Sequence, residues 1–299
     1  MSKNHDEENT NMLEVYKAKA LAFLKELGIV LGAFLLLNNF VIASFLVPTG
    51  SMENEVLTGD LLFVNKFIYG GTSPRNIPFT NVRLPWFRLP AFADVERGDV
   101  IVFEFPGYRE EVRPEEFQFY LKRCVGLPGD TIAIRDRVLY VNGTPAPLPR
   151  HLKFSQPAAV PDTLPDERIF PPGAAWNEDN YGPIVVPHSG MRIPLTAANF
   201  RQWEVFIERE GHQVMRSGNQ VFVDGKPVDE YVVGRDYLFG MGDHRDNSLD
   251  CRYWGFVPEE NLVGTPILVY WSWDTDTPLY DIFNRLGSIR WGRVGTLIK

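Results

Sequence analysis

The sequence predicts an all-β domain of mostly antiparallel sheet, carried on one N-terminal transmembrane helix. Three observations lead there. An uncharged apolar run extends from Leu27 to Val47. Through the rest of the chain, short stretches rich in Val, Ile, Phe and Tyr recur, bounded by Gly, Pro, Asp or Asn. No long amphipathic helical pattern follows the apolar run.

The elements follow in order. Residues 1–26 hold Lys3, Lys17, Lys19 and Lys25, and the next Lys or Arg after the apolar run is Lys66. That bias predicts a cytoplasmic N-terminus and an exported domain over 48–299. The run 27–47 spans about 30 Å as a helix, one hydrocarbon core. It exceeds the roughly 7–15 residues of a secretory signal's apolar region. No small-x-small cleavage site followed by a free mature domain is obvious before Pro48, so an uncleaved anchor is expected. Asn38 and Asn39 are polar but uncharged.

Strands are expected at 60–67, 99–105, 117–125, 131–134, 137–141, 220–224, 237–241 and 261–273. LYVNGTP and VFVDGKP carry the Asn-Gly and Asp-Gly pairs of tight hairpins. Eleven of the 23 prolines fall within 145–194. That density predicts a Pro-rich insertion at about 144–220 between two halves of the sheet. WNEDNYGP (176–183) is turn-rich and carries no assigned chemistry.

Composition excludes several classes. The net charge of −8 argues against a nucleic-acid partner. The two cysteines, Cys124 and Cys251, make no disulfide scaffold and no zinc-binding spacing. They are expected to be free thiols, and no metal or organic cofactor is expected.

Ser51 stands four residues beyond the apolar run, where a hydroxyl would lie at a membrane surface. Serine needs a base to become a nucleophile. His5 precedes the span, and His151, His188 and His212 sit in loop-like or polar surroundings. His244, beside Asp243 and Asp246, is the one candidate for a Ser-His-Asp arrangement. The other candidate base is Lys122 in FQFYLKRCV. Strand alternation puts Tyr120, Lys122 and Cys124 on one face and Arg123 on the other. Burial there would lower a lysine's pKa into a proton-accepting range. From pattern alone, a strand lysine reaching out to solvent is the plainer reading.

The order of motifs speaks for Lys122. PTGSM after the anchor, RGDVIVFEF, YLKRCVGLPGD and GDHRDNSLDCRYWGFVPEENLVG together resemble bacterial type I signal peptidase, the leader peptidase family of Ser-Lys proteases. The resemblance implies a signal-peptidase-like all-β catalytic domain. It implies Ser51 as nucleophile and Lys122 as general base, with the Thr49 hydroxyl and the Ser51 N–H forming an oxyanion hole. Ser248 would hydrogen-bond and orient the lysine. Asp250, Arg252, Asp243 and Arg245 would support the site from behind. Glu53-Asn54-Glu55 departs from the Pro and Thr common after the nucleophile, His244 from a common Asn, and Cys251 from a common Ser.

The implied activity is removal of signal peptides from exported preproteins at Ala-x-Ala sites. The implied location is the bacterial inner membrane, with the catalytic domain on the periplasmic side. The lipid bilayer is an expected partner and the translocation machinery a candidate one. The alternative is a membrane-tethered, non-enzymatic β-domain for binding or assembly. A self-cleaving repressor-type Ser-Lys domain would need a DNA-binding module where this chain has an anchor. Two tracts could contact lipid: RLPWFRLPAF (83–92), otherwise a loop folded back on the sheet, and SIRWGRVGTLIK (288–299), otherwise a closing strand.

Overall fold

The structure is a computed structural model describing residues 2–73, 84, 85, 87–278 and 280–299, with side chains from residue 16 onward. Helix α1 (Ser2–Phe40) opens the chain. Its Tyr16–Phe40 portion is long and apolar enough to cross a membrane. The apolar run then divides. Strand β1 (Ile42–Leu46) leaves the helix axis and pairs antiparallel with β2 (Asp60–Asn65), from Ile42↔Asn65 to Leu46↔Leu61.

The expected span 27–47 therefore differs at its C-terminal end. Ala43 and Val47 are buried and Phe45 is half-buried between exposed neighbours, a period of two that suits a strand. A continuous apolar run does not reveal that change of period. The helix end is pressed against Gly71, where a Cβ would lie 2.3 Å from the Phe40 carbonyl oxygen.

Strands β3 (Val100–Glu104) and β4 (Phe119–Gly126) follow. The chain then leaves this sheet for a long excursion. It contains β5 (Thr131–Arg135), β6 (Val138–Val141), β7 (Thr144–Pro145), β8 (Tyr181–Val185) and β9 (Arg192–Pro194). Helix α2 (Phe200–Arg209) comes next, then β10 (Val214–Ser217), β11 (Gln220–Val223), β12 (Lys226–Val228) and β13 (Glu230–Val232). The chain returns as β14 (Tyr237–Met241), α3 (Cys251–Trp254), β15 (Val257–Pro258), β16 (Leu262–Ser272) and α4 (Ile282–Gly287).

The main sheet has seven strands in the order β1-β2-β16-β3-β4-β14-β15, and each pair is antiparallel. The excursion carries the sheet β7-β6-β5-β8, the ribbon β10-β11-β12 and the pair β13-β9. Both expected hairpins form. Asn142-Gly143 and Asp224-Gly225 all take positive φ, as their tight turns require. The excursion starts before residue 144, because β5 and β6 already belong to it. Helix α2 was not expected. Its Trp203, Phe206 and Ile207 lie at helical spacing, and Phe206 and Ile207 are buried.

One hydrophobic core joins Ile101, Phe103 and Phe239 of the main sheet to Ile132, Tyr181 and Ile207 of the excursion. A second, smaller core holds Val47, Met52, Val56, Leu62, Val102 and Val269. Full burial of a side chain such as Met52 or Val56 is worth about 1.5–3 kcal/mol. Those two anchor the chain on either side of Glu53.

Arg83 and Trp86 of the 83–92 tract lie outside the described residues. In the remainder, the Ser73 N–H donates to the Phe87 carbonyl, the Leu89 N–H donates to the Gly71 carbonyl, and Phe92 stacks on Phe67 at 4.1 Å. The C-terminal tract closes on β16 through a Leu268↔Leu297 bridge, with the Ile298 N–H donating to the Ile267 carbonyl.

Candidate active site

Ser51 and Lys122 meet. Lys122 Nζ lies 2.6 Å from Ser51 Oγ, and the two residues are 4% and 9% exposed. The meeting follows from local structure. Beyond β1 the chain turns sharply, with the Glu53 N–H bonded to the Gly50 carbonyl and the Val56 N–H to the Met52 carbonyl. Met52 and Val56 are buried beneath this turn, so Ser51 faces β4. Strand β4 lies between β3 and β14, with Ile101 opposite Lys122. Alternation along β4 puts Lys122 and Tyr120 on the same face, with Nζ 5.7 Å from the Tyr120 ring centre.

Burial lowers the Lys122 pKa from its ordinary 10.5 to about 8, although Asp250 pulls the other way. A lysine so placed is neutral often enough near pH 8 to accept a proton. Arg123 points to the opposite side, where two hydrogen bonds of 2.8 and 2.6 Å join it to Asp243. This pairing is an addition to the expected site.

The supporting residues gather behind the dyad. Asp250 accepts from the Gly242 N–H at 3.0 Å and from the Arg252 guanidinium at 2.9 and 2.8 Å. Burial would raise the Asp250 carboxyl, but Arg252 holds it below its ordinary range. Arg252 also donates to the Arg245 carbonyl at 2.5 Å. Arg245 donates to the Gly242 carbonyl at 3.2 Å, and burial with the nearby Arg252 charge lowers its pKa to about 10.

Gly242 is a site residue that sequence reasoning missed. A Cβ there would stand 2.3 Å from Ser248 Oγ and 2.5 Å from the Ser51 carbonyl oxygen. Gly240 is similar, since its Cβ would lie 3.1 Å from Lys122 Cβ. The signal was present in GMGD, where Gly240 lies on β14 and Gly242, the residue after that strand, opens the block already singled out.

Ser248 differs from its expected geometry. Its Oγ is buried and has no hydrogen-bond partner, so the bond to Lys122 is not formed. The physical reason is the direction of the hydroxyl. Lys122 Nζ is directed at Ser51, and Ser248 is turned toward Gly242. Thr49 is exposed at the rim.

His244 does not serve Ser51 as a base. Its ring contacts Ser155 Oγ at 2.7 Å and Glu53 at 3.1 Å. Only its backbone N–H reaches Ser51, donating to the carbonyl at 3.1 Å. Cys124 and Cys251 are free and buried, and burial pushes the Cys124 thiol up to about 12.

The dyad lies on the wall of a groove of about 940 Å³. Phe45, Pro48 and Thr49 line one side, with Phe119, Tyr120 and Leu249 elsewhere along it. Among the described residues no cluster of His, Cys, Asp or Glu could hold a metal ion.

The profile of the family described as signal peptidase, peptidase S26, matches residues 20–271. The chain belongs to this family. The signal peptidase I of Buchnera aphidicola subsp. Schizaphis graminum is 29% identical over 85% of this chain and 77% of its own length. That of Pseudomonas aeruginosa is 28% identical over 87% and 76%. That of Helicobacter pylori strain 26695 is 27% identical over 80% and 78%. A crystal structure of signal peptidase I from Enterococcus faecalis V583 is 22% identical and covers 58% of this chain and 97% of that one, with a TM-score of 0.25. In this S26 member Ser51 and Lys122 lie within hydrogen-bond distance on the wall of one groove.

Proposed function

We propose that Ser51 and Lys122 are the catalytic dyad by which this membrane-associated signal peptidase removes signal peptides from exported preproteins. The supporting observation is the 2.6 Å approach of a buried lysine amine to a buried serine hydroxyl at an open groove. Neutral Lys122 takes the Ser51 proton as Oγ attacks the scissile carbonyl. The resulting ammonium returns its proton to the leaving amine. Water, activated by the same lysine, then hydrolyses the acyl-enzyme. The Ser51 N–H and the Thr49 hydroxyl are assigned to the developing oxyanion, where one donor is worth about 2.7–4 kcal/mol in comparable sites.

Ser248 is assigned to the lysine amine once substrate engages Ser51. Its support is a buried, unpartnered hydroxyl on the same groove. The groove runs beside β1, an edge strand of the main sheet, so a substrate segment can add to that edge as an extended strand. Side chains of the Ala-x-Ala type are assigned to the apolar wall that includes Phe45, Val47 and Leu62. Helix α1 is assigned as the anchor, with its N-terminus cytoplasmic and residues 48–299 on the periplasmic side of a bacterial inner membrane. The bilayer and the translocation machinery are then its neighbours.

The test uses full-length protein in detergent micelles with a precursor bearing an Ala-x-Ala site. Ser51→Ala and Lys122→Ala should each abolish cleavage while the circular dichroism of the fold persists. Cleavage at the wild-type rate by either variant overturns the dyad.

A further inference from the structure

We propose that the segment 151–156 of the excursion is a strap that positions Ser51, and that Glu53 and Lys153 are its positioning residues. The inference rests on the reading of Ser51 as nucleophile.

The strap is fastened to the 243–246 stretch along its length. The Lys153 N–H donates to the Asp243 carbonyl at 2.9 Å, and the Arg245 N–H donates to the Lys153 carbonyl at 3.0 Å, a parallel bridge centred on His244. The Ser155 and Gln156 N–H groups donate to the Asp246 carboxylate at 2.9 and 2.6 Å. Arg137 covers the Phe154 ring at 4.5 Å and donates to the Gln156 carbonyl at 2.9 Å, which ties the strap to the β5–β6 hairpin.

Two contacts reach the turn around Ser51, one from the strap and one from the 243–246 stretch it is fastened to. Lys153 Nζ lies 2.9 Å from Glu53 Oε2, and the buried His244 ring lies 3.1 Å from the same oxygen. The His244 ring bridges the turn and the strap, with Nδ1 3.1 Å from Glu53 Oε2 and Nε2 2.7 Å from Ser155 Oγ and 3.4 Å from Asp246 Oδ1. The Glu53 N–H closes the turn onto the Gly50 carbonyl, and Ser51 lies inside that turn. The His244 N–H holds the Ser51 carbonyl. Lys122 therefore meets Ser51 from the front, while the strap holds its turn from behind.

A surface ion pair would mean little here, and the Lys153–Glu53 pair is about a third exposed on each side. Its effect comes through aim. Acyl transfer needs Oγ aligned with both the lysine and the scissile carbon, and displacements of an ångström can cost up to about a hundredfold in rate. Loosening the 50–53 turn should reduce kcat and leave KM alone, because the groove walls at β1 and β4 do not change.

The experiment measures steady-state cleavage of an Ala-x-Ala precursor by full-length protein in detergent micelles. The variants are Lys153→Met, Glu53→Gln, their double, Lys153→Arg and Ser155→Ala. Each of the first two should lose about tenfold in kcat with KM within about twofold. The double should be no worse than the poorer single, since both remove one contact. Lys153→Arg should recover most of the rate. Ser155→Ala, which removes the hydroxyl contact to the buried His244 ring, should lose about threefold in kcat when assayed well below its Tm, with KM within about twofold. Wild-type kcat in Lys153→Met beside an inactive Ser51→Ala overturns the strap alone. Losses that multiply in the double, or that follow Tm, overturn it as well. Cleavage by Ser51→Ala removes the dyad and the strap together.

Discussion

Replacing Lys122 by Met should make the protein inactive and more stable at neutral pH. The lysine is buried at the groove wall, and its pKa falls from 10.5 to about 8 because burial penalises the charged form. At neutral pH the native state thus carries a disfavoured ammonium. The difference corresponds to about 3 kcal/mol of stability withheld at pH 7. Losing the hydrogen bond to Ser51 costs about 1 kcal/mol. A net gain of about 2 kcal/mol remains for Lys122→Met, whose unbranched chain follows a similar path.

The sign fixes the pH window. Between about pH 8 and 10.5 the unfolded lysine holds its proton and the folded one does not, so wild-type stability rises with pH there. The advantage of the variant should be full below pH 8 and vanish as pH approaches 10.5. Urea unfolding of both full-length proteins in the same detergent, followed by tryptophan fluorescence at pH 7 and pH 10, reads this directly. A variant less stable than wild type at pH 7, or a difference indifferent to pH, would refute the reasoning.

Two further outcomes follow from the same geometry. The wild-type rate of precursor cleavage should climb along a limb centred near pH 8, and Ser248→Ala should keep that limb at a lower plateau; a limb near pH 10.5 in pre-steady-state cleavage would contradict a buried base. Gly242→Ala should cost at least about a hundredfold in kcat, since its methyl group would lie 2.3 Å from Ser248 Oγ and 2.5 Å from the Ser51 carbonyl oxygen, and near wild-type turnover would show that these backbones yield freely.

Much of this was legible in sequence, for identifiable reasons. All eight expected strands formed, because a strand covered on one or both faces leaves a local trace in Val, Ile and Phe. The pairing of Ser51 with Lys122 was readable through the order of motifs, and alternation along 119–125 correctly separated Lys122 from Arg123. Strand β1 was hidden because apolar character continues unbroken from helix to strand. Helix α2 was missed although Trp203, Phe206 and Ile207 carry its stripe, since ten residues in a turn-rich stretch give a weak period.

The orientation of Ser248 is a rotamer choice that spacing does not encode. The Lys153–Glu53 contact joins residues a hundred positions apart. One of them lies in a stretch whose prolines advertise only loop. Nothing local distinguishes such a lysine from a solvated one.

The junction at Phe40–Ile42 turns the anchor into a yardstick. A single residue separates α1 from β1, and β1 is locked in register to β2 over its whole length. Gly71 lies too close to Phe40 to admit even a methyl group between them. No slack tether lies between the apolar helix and Ser51. With α1 seated in a bilayer, the height of Ser51 above the lipid is set by five strand residues, about 17 Å of rigid backbone, and the turn beyond them. One residue added at Val41 would not lengthen a leash; it would turn every β1 side chain to the wrong face or move the cutting point by a step. With α1 so seated, the bond that Ser51 reaches would be selected by its distance from the lipid as well as by the side chains around it.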